Sequence, residues 1–312
     1  MAYNILVTGG AGYLGSIMVP DLLAAGHKVT VLDSFMFKQT SLNHCAYHPN
    51  FSVVKGDIRT ESTIRPLLKD VDVVIPLAAL VGAPLCSLDP VGATTTNHDA
   101  ITMMLRLLSK QQIVLMPTTN SAYGTGDENN FCTEESPLNP ISQYAIDKVA
   151  VEKELMQHPN AISFRLATVF GMSPRMRIDL LVNDFTYRAV YDRFVVLFES
   201  SFKRNYVHVR DVSRAFQHAL ANHETMKGQI YNVGLSEANV SKRELCEHIQ
   251  KQLPDFVFID APVGKDPDQR NYIVSNAKIE ATGYKTEFSL DRGIGELIKG
   301  FRMIRNTRYG NV

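Results

Sequence analysis

Two residues four positions apart, Tyr144 and Lys148, are suited to proton transfer. Side chains at this spacing share one face of a helix, so both can reach a single ligand. A phenol titrates near ~10, and a neighbouring ammonium favours its charged form. The pair therefore predicts a general base that takes a proton from an alcohol, with the Thr119 hydroxyl bridging base and substrate oxygen. The same spacing also fits an exposed helix face. Other parts of the chain are therefore needed to distinguish a catalytic pair from ordinary surface residues.

A glycine-rich turn lies between two predicted strands near the start of the chain. The first strand spans about 3–8, the helix after the turn closes at Gly26, and the second strand ends in an acid. Closely spaced glycines let the backbone approach a pyrophosphate, which the helix N-terminus attracts. The acid is suited to hold ribose hydroxyls and repels a 2′-phosphate. The succession of strand, glycine turn, helix, strand and acid therefore predicts binding of NAD rather than NADP. The alternative is a glycine-rich turn in another kind of α/β protein. The predicted cofactor contacts are Gly9, Gly12, Tyr13, Leu14, Gly15 and Asp33.

Strands and helices continue to alternate, which predicts an α/β fold with a doubly wound parallel sheet, the Rossmann arrangement. Further strands are expected at 51–55, 72–75 and 112–116. Ligands bind outside the carboxyl ends of such strands, so residues after the third and fourth strands are expected along the cofactor. They are Asp57, Ile58, Leu77, Ala78 and Ala79, which otherwise form a loop and an apolar strand end. Tyr144 follows the fifth strand, where a positively charged nicotinamide should lie and would also favour the phenolate.

The composition excludes several classes of protein. Lys and Arg number 32, as do Asp and Glu, so no basic surplus indicates nucleic-acid binding. No run approaches the roughly 20 apolar residues that span a bilayer. The cysteines are widely spaced without a CxxC motif, which predicts a reduced compartment and no metal site. The apolar run at 5–7 is too short for a leader peptide, so we expect a cytoplasmic protein.

After about residue 165 the pattern changes to loops, short strands and short helices. We therefore expect an NAD-binding domain at 1–170, with 171–312 forming mainly a smaller substrate-binding lobe from which some segments return to the sheet. Two arginines in this half, Arg204 and Arg270, are suited to a diphosphate because the planar guanidinium can make two parallel hydrogen bonds. Otherwise they are ordinary solvated residues.

The chain resembles the extended short-chain dehydrogenases/reductases, specifically the nucleotide-sugar epimerase/dehydratase family, over nearly its whole length. The resemblance rests on segments 8–15, 56–59, 77–79, 118–124, 204–212 and 231–234 and on the Tyr–Lys pair. It implies that Tyr144 is the base, that Lys148 holds the nicotinamide ribose, and that Thr119 aligns with the catalytic Ser/Thr. It further implies a nucleotide-diphosphate sugar as substrate, bound by Arg204 and Arg270 at the diphosphate and by Asn183 and Thr168 in the pocket.

The two residues that follow Thr119 limit which reaction of the family this chain can catalyse, if the resemblance holds. Dehydratases of this family usually carry Asp-Glu there, because loss of water from C5–C6 needs an acid and a base. Here Asn120 and Ser121 take those places, which predicts substrate contacts but no 4,6-dehydratase activity. Members that epimerise at C3 or C5 often have a cysteine where Ser121 stands, so redox chemistry at C4 remains. Pro76 and Thr168 also replace a common histidine and asparagine, which bears on cofactor retention and on the position of the sugar.

The leading hypothesis is an NAD-dependent nucleotide-sugar 4-epimerase. The alternatives are a 4-dehydrogenase or 4-ketoreductase that releases or consumes the keto sugar, a reductase of a small carbonyl compound, and a dinucleotide-sensing protein without turnover. The resemblance also implies a homodimer formed by the helix at about 97–109 and the helix of Tyr144. The apolar residues Ile101, Met104, Leu105 and Leu108 fit such a seam, and they fit packing on the sheet equally well.

Overall fold

The computed structural model describes residues 2–125, 131–261 and 270–304 of the 312-residue chain. Within these residues the strands are β1 (Asn4–Thr8), β2 (Lys28–Asp33), β3 (Phe51–Lys55), β4 (Val73–Pro76), β5 (Ile113–Thr119), β6 (Ala161–Leu166), β7 (Thr168–Phe170), β8 (Phe194–Leu197), β9 (Lys203–His208), β10 (Gln229–Val233), β11 (Asn239–Ser241) and β12 (Val257–Asp260). The helices are α1 (Gly15–Ala24), α2 (Glu61–Leu67), α3 (Ala83–Leu88), α4 (Pro90–Thr94), α5 (Ala100–Leu107), α6 (Gln143–Leu155), α7 (Leu181–Tyr191), α8 (Val209–Ala221), α9 (His223–Met226), α10 (Lys242–Gln252), α11 (Ala277–Glu280) and α12 (Leu290–Phe301). None of these helices combines the length and the apolar character needed to cross a bilayer.

Seven parallel strands form the main sheet in the order β10-β6-β5-β4-β1-β2-β3. Strand β1 pairs in parallel with β2 on one side and with β4 on the other, so the strand order reverses there and the predicted doubly wound sheet is confirmed. The fifth strand is longer than the predicted 112–116, because its pairing with β6 continues to Thr119 opposite Leu166. This extension brings Thr118 and Thr119 to the carboxyl edge of the sheet.

Successive residues of β1 face opposite sides of the main sheet, and both sides are covered. Ile5 and Val7 pack in a core with α1 and α8, whereas Leu6 packs in another core with α5 and α6. Burial on both faces explains why the strand is apolar without alternation. The four apolar residues considered for a dimer seam all pack in or against this second core: Ile101, Met104, Leu105 and Leu108. The run therefore packs on its own sheet, with Leu105 and Leu108 only partly buried, and the dimer seam stays a prediction.

The second half of the chain contributes to two units. Strands β11, β9 and β7 form a small sheet, and β12 and β8 form a parallel pair. Large buried side chains fill the core of this smaller unit: Phe170, Tyr206, Phe256 and Phe301. The chain also returns to the main sheet, where β10 pairs with β6 and Phe216 of α8 packs 4.7 Å from Phe164 between ring centroids.

The helix predicted from about 89 to 109 is interrupted. Between α4 and α5 the backbone forms a π-helical turn over Thr95–Asp99. Asn97 in this turn is buried, and its amide accepts the Leu80 N–H at 2.8 Å and donates to the Leu80 carbonyl at 2.9 Å. Such turns insert one residue into a helix and often occur at functional sites. Here the turn fixes the backbone of the segment that follows β4.

Candidate active site

The glycine turn after β1 leaves no room for side chains where it meets its neighbours. Gly9 has a φ of 68°, and a Cβ there would lie 2.5 Å from the backbone nitrogen of Ala78. A Cβ on Gly15 would overlap the carbonyl group of Gly10. The Gly12 N–H donates to the Gly9 carbonyl at 3.0 Å and tightens the turn. Bare backbone and the N-terminus of α1 therefore meet at the carboxyl edge of the sheet, a cradle suited to a diphosphate.

A cavity of about 470 Å³ lies over this edge and is lined by residues of both units. The predicted cofactor residues that line it are Gly9, Gly12, Tyr13, Leu14, Gly15, Asp33, Asp57, Ile58, Leu77, Ala78 and Ala79. The predicted catalytic and substrate residues that line it are Thr119, Ser121, Tyr144, Lys148, Thr168 and Arg270. Motifs that are far apart in the sequence therefore share one cavity.

Asp33 ends β2 at one end of the cavity. Its carboxylate accepts the N–H groups of Ala11 at 3.0 Å and Phe35 at 2.8 Å, and the amide of Gln39 at 3.2 Å. Burial raises the pKa of Asp33, while these hydrogen bonds oppose the shift. The carboxylate is thus held rigidly beside the glycine turn, where it can meet the hydroxyls of a ribose.

Tyr144 and Lys148 lie on α6, whose N-terminus is capped by the Ser142 hydroxyl accepting the Ala145 N–H at 3.3 Å. Lys148 is 4% exposed, and its ammonium lies 3.4 Å from the Pro117 carbonyl, to which it donates. Burial lowers the pKa of Lys148 to about 8. At neutral pH most of these amines therefore remain charged.

The pKa of Tyr144 differs from the sequence-based expectation. Burial raises it to about 12, whereas a lowering by Lys148 was predicted. The charges that oppose burial are the guanidinium groups of Arg177 and, to a smaller extent, Arg270. The prediction counted Lys148 and the positive charge of a bound nicotinamide, and it omitted the loss of hydration, which raises the pKa, and the arginines of the other unit, which lower it.

Thr119 is placed to contact a substrate oxygen. It ends β5, lines the cavity, and its hydroxyl oxygen accepts the Ser121 N–H at 3.1 Å. Because that bond uses a lone pair, the hydroxyl proton remains for donation into the cavity. Ser121 in turn accepts a hydrogen bond from the guanidinium of Arg270. The end of β5 and the residues after it thus present two hydroxyls to the cavity that Tyr144 also lines.

Three predicted substrate residues do not line the cavity. Asn183 is buried, and its amide accepts the Gly171 N–H at 3.0 Å and donates to the Arg177 carbonyl at 2.8 Å, which gives it a structural role that the prediction missed. Asn120 is 1% exposed, and neither amide atom has a partner among the described residues. Arg204 is buried in β9. The structure does not bring these three side chains to the cavity with the others.

Other residues of the site were assigned no role from the sequence. Arg175 and Arg177 line the cavity from the segment before α7, and Arg177 forms an ion pair with Asp179 at 2.5 Å. Glu152 follows Tyr144 and Lys148 at the same four-residue spacing and is buried beneath them. That spacing could have indicated Glu152, whereas the arginines become neighbours of the site only through the fold.

The groups along the cavity fit NAD. Bare backbone at the glycine turn can receive a diphosphate, and the Asp33 carboxylate at one end can accept from ribose hydroxyls. Lys148 and Tyr144 stand at the other end, where a nicotinamide riboside needs a donor and the reacting alcohol needs a base.

Comparisons with known proteins agree with this geometry. The family model for the NAD-dependent epimerases/dehydratases matches residues 5–234. A UDP-glucose 4-epimerase from Mycolicibacterium smegmatis is 30% identical over 314 residues, which cover 95% of this chain and 98% of that protein.

Two solved structures show both reaction types among similar proteins. The UDP-glucose 4-epimerase of Thermus thermophilus, in complex with NAD, has a TM-score of 0.82 and 25% identity, covering 97% of this chain and 99% of its own. A dTDP-glucose 4,6-dehydratase of Streptomyces venezuelae, with NAD bound, also has a TM-score of 0.82 and 25% identity, covering 97% of each chain. Overall likeness therefore does not separate epimerase from dehydratase.

Proposed function

This chain belongs to the NAD-dependent epimerase/dehydratase family of extended short-chain dehydrogenases/reductases, and we propose that it is a nucleotide-sugar 4-epimerase. One observation carries the choice of reaction. Thr119, Tyr144 and Lys148 line the cavity together, and the carboxylates among its described lining residues are those of Asp33, Asp57 and Asp89.

The carboxylates that do line the cavity are engaged elsewhere. Asp33 lies beside the glycine turn, and Asp57 forms an ion pair with Arg59 at 2.6 Å. Asp89 accepts the Gly92 N–H at 2.8 Å and caps α4. Elimination of water requires an acid and a base beside the sugar, and Asn120 and Ser121 supply neither after Thr119. Oxidation and reduction of one alcohol needs only the base and the hydroxyl, which favours epimerisation over dehydration.

Side chains of this protein can move the proton of the sugar C4 hydroxyl. The Tyr144 phenolate takes the proton of the C4 hydroxyl, and the Thr119 hydroxyl donates to the same oxygen as it becomes a carbonyl. Bound NAD would supply the hydride acceptor and donor, and its positive charge would add to those of Arg177 and Arg270 in favouring the phenolate. When the carbonyl is reduced on its other face, Tyr144 returns the proton, so neither proton nor hydride is lost over a turnover.

We propose a nucleotide-diphosphate sugar as the substrate, with the remaining predicted residues in supporting roles. Arg270 lines the cavity beside Ser121, which suits a diphosphate or a sugar hydroxyl. Thr168 lines the cavity where β7 begins and can contact the sugar. The proposed roles of Asn120, Asn183 and Arg204 as direct contacts have less support, since none lines the cavity. A homodimer and a cytoplasmic location complete the proposal.

The test is incubation of the purified protein with a panel of nucleotide sugars. Absorbance of reduced cofactor and product stereochemistry are followed together. A 4-epimerase inverts C4 without net accumulation of NADH. Stoichiometric NADH with a keto sugar would establish the 4-dehydrogenase instead, reduction of an added keto sugar would establish the ketoreductase, and a product lighter by one water would establish a dehydratase. Binding without any turnover would support the dinucleotide-sensing alternative.

A further inference from the structure

The segment after β7 is attached to the glycine turn and to the first turn of α1. The Tyr13 hydroxyl donates to the Gly171 carbonyl at 2.7 Å, and the Ser173 hydroxyl donates to the Tyr13 carbonyl at 2.6 Å. Ser173 and Ser16 hydroxyl oxygens lie 2.7 Å apart, and Ser16 also accepts the Arg175 N–H at 3.3 Å. The backbone of Arg175 is therefore fixed against the N-terminal turn of the helix that meets the cofactor diphosphate.

The side chain of Arg175 is held in place as well as its backbone. Its guanidinium lies 4.5 Å from the centre of the Phe37 ring, on the segment that follows β2. Arg175 is 5% exposed, yet it lines the cavity. Burial and the nearby Arg177 both lower its pKa, while Asp33 and Asp179 oppose the shift. A buried cation beside a second cation favours the arrival of an anion.

The position of Arg175 along the cavity identifies that anion. Arg175 interacts electrostatically with Asp33 and with Arg177, and Arg177 interacts in turn with Tyr144. The adenosine ribose belongs at Asp33 and the nicotinamide at Tyr144, so the stretch between them is where the diphosphate of NAD must pass. The guanidinium of Arg175 also donates to the Met176 carbonyl within its own segment.

We propose that Arg175 is a further cofactor-binding residue, whose guanidinium contacts the NAD diphosphate from the side opposite the glycine turn. Phe37 holds the planar guanidinium in place, since a flat guanidinium can lie against an aromatic face over a larger area than a lysine ammonium. The smaller unit thereby takes part in holding the cofactor, and the Arg175–Phe37 contact slows the release of NAD. The proposal rests on the NAD site of the proposed function and is independent of the reaction at C4.

Binding measurements on three variants test this role. Calorimetry gives the affinities of wild type, Arg175→Gln and Phe37→Leu for NAD, ADP-ribose and UDP. Loss of a charge-assisted contact is expected to weaken NAD and ADP-ribose by about 10-fold to 100-fold in Arg175→Gln. A smaller loss is expected in Phe37→Leu, and UDP affinity should stay unchanged. Arg188→Gln is the matched control, because that arginine is 52% exposed and pairs with Asp184 on α7.

Each other outcome overturns the proposal. Weaker UDP binding with unchanged NAD binding would assign Arg175 to the substrate, and unchanged affinities for all three ligands would leave it no ligand. Thermal unfolding of each variant shows whether the fold is kept. If Arg175→Gln does not fold, Phe37→Leu decides, because Phe37 is 38% exposed and its loss leaves the buried core intact. Failure to find a C4 epimer would defeat the proposed reaction only, since the affinities are measured without turnover.

Discussion

The guanidinium of Arg165 donates to the carboxylate of Glu152 at 2.6 Å, and both side chains are buried beneath the active site. Glu152 also accepts the hydroxyls of Thr118 at 2.8 Å and Ser163 at 2.7 Å. Since Tyr144 stands on the same face of α6 as Glu152, this network fixes the helix of the base relative to the strand that carries Thr119.

Breaking this buried pair should destabilise the protein strongly. In Glu152→Gln the shape is kept but the charge of Arg165 is left without its counter-ion, and the expected loss in the free energy of unfolding is about 3–5 kcal/mol. Urea unfolding measures it. Glu61→Gln is the control, because its pair with Arg65 is exposed and should contribute less than ~1 kcal/mol. Equal effects of the two substitutions would refute a special role for the buried pair.

Tyr144→Phe should lose its catalytic activity and keep its cofactor. Removing the hydroxyl eliminates the base while leaving the ring in place, so kcat is expected to fall by about 10²–10⁴ with NAD affinity within a few-fold of wild type. Tyr47→Phe serves as control, since Tyr47 is 85% exposed and outside the cavity lining. Full activity in Tyr144→Phe on every nucleotide sugar tested would remove the phenol from the mechanism.

The lowered pKa of Lys148 predicts a pH-dependent stability difference. The amine has a pKa of about 8 when folded and of 10.5 in its ordinary state, so the unfolded chain binds more protons between these values. Stability from this group therefore rises with pH through that window, and the full cost of burying the charge is present below pH 8. Relative to wild type without NAD, Lys148→Met should be more stable near neutral pH by up to about 3 kcal/mol, with the difference shrinking toward pH 10. A difference that does not change with pH would contradict the buried charge.

Asp33→Asn should alter the choice of dinucleotide. The amide keeps the size of the side chain but no longer repels a 2′-phosphate, so the preference for NAD over NADP should fall by about 10-fold. Affinities measured by calorimetry provide the ratio. Asp70→Asn removes one exposed charge away from the cavity and should leave the ratio unchanged. If both variants shift the ratio alike, net charge and not Asp33 sets the preference.

Local patterns predicted much of the fold and part of the site. β1, the glycine turn and Asp33 follow one another in the sequence, so apolar runs and glycine spacing were enough to predict them. Tyr144 and Lys148 share a helix, and Thr119 ends a recognisable strand. Their cavity could therefore be inferred before the structure was known.

The remainder depends on contacts between distant segments. Arg175 meets Phe37 only because its segment is bound to Tyr13 and Ser16, contacts that no periodicity indicates. The interruption at Asn97 likewise depends on Leu80, which lies in the segment between β4 and α3. Without NAD the pKa of Tyr144 is raised rather than lowered, because burial outweighs the remote guanidinium groups, and both effects are properties of the folded chain.

The return of β10 to the main sheet has a consequence for dissecting this enzyme. A fragment ending near residue 170 would keep every glycine of the nucleotide cradle, yet it would lack the strand that pairs with β6. It would also lack α8, whose Phe216 covers Phe164. The unpaired edge of β6 and an exposed apolar surface would therefore both face water. Such a fragment would precipitate, so the nucleotide-binding half of this protein would not be stable without the later segments that complete its sheet.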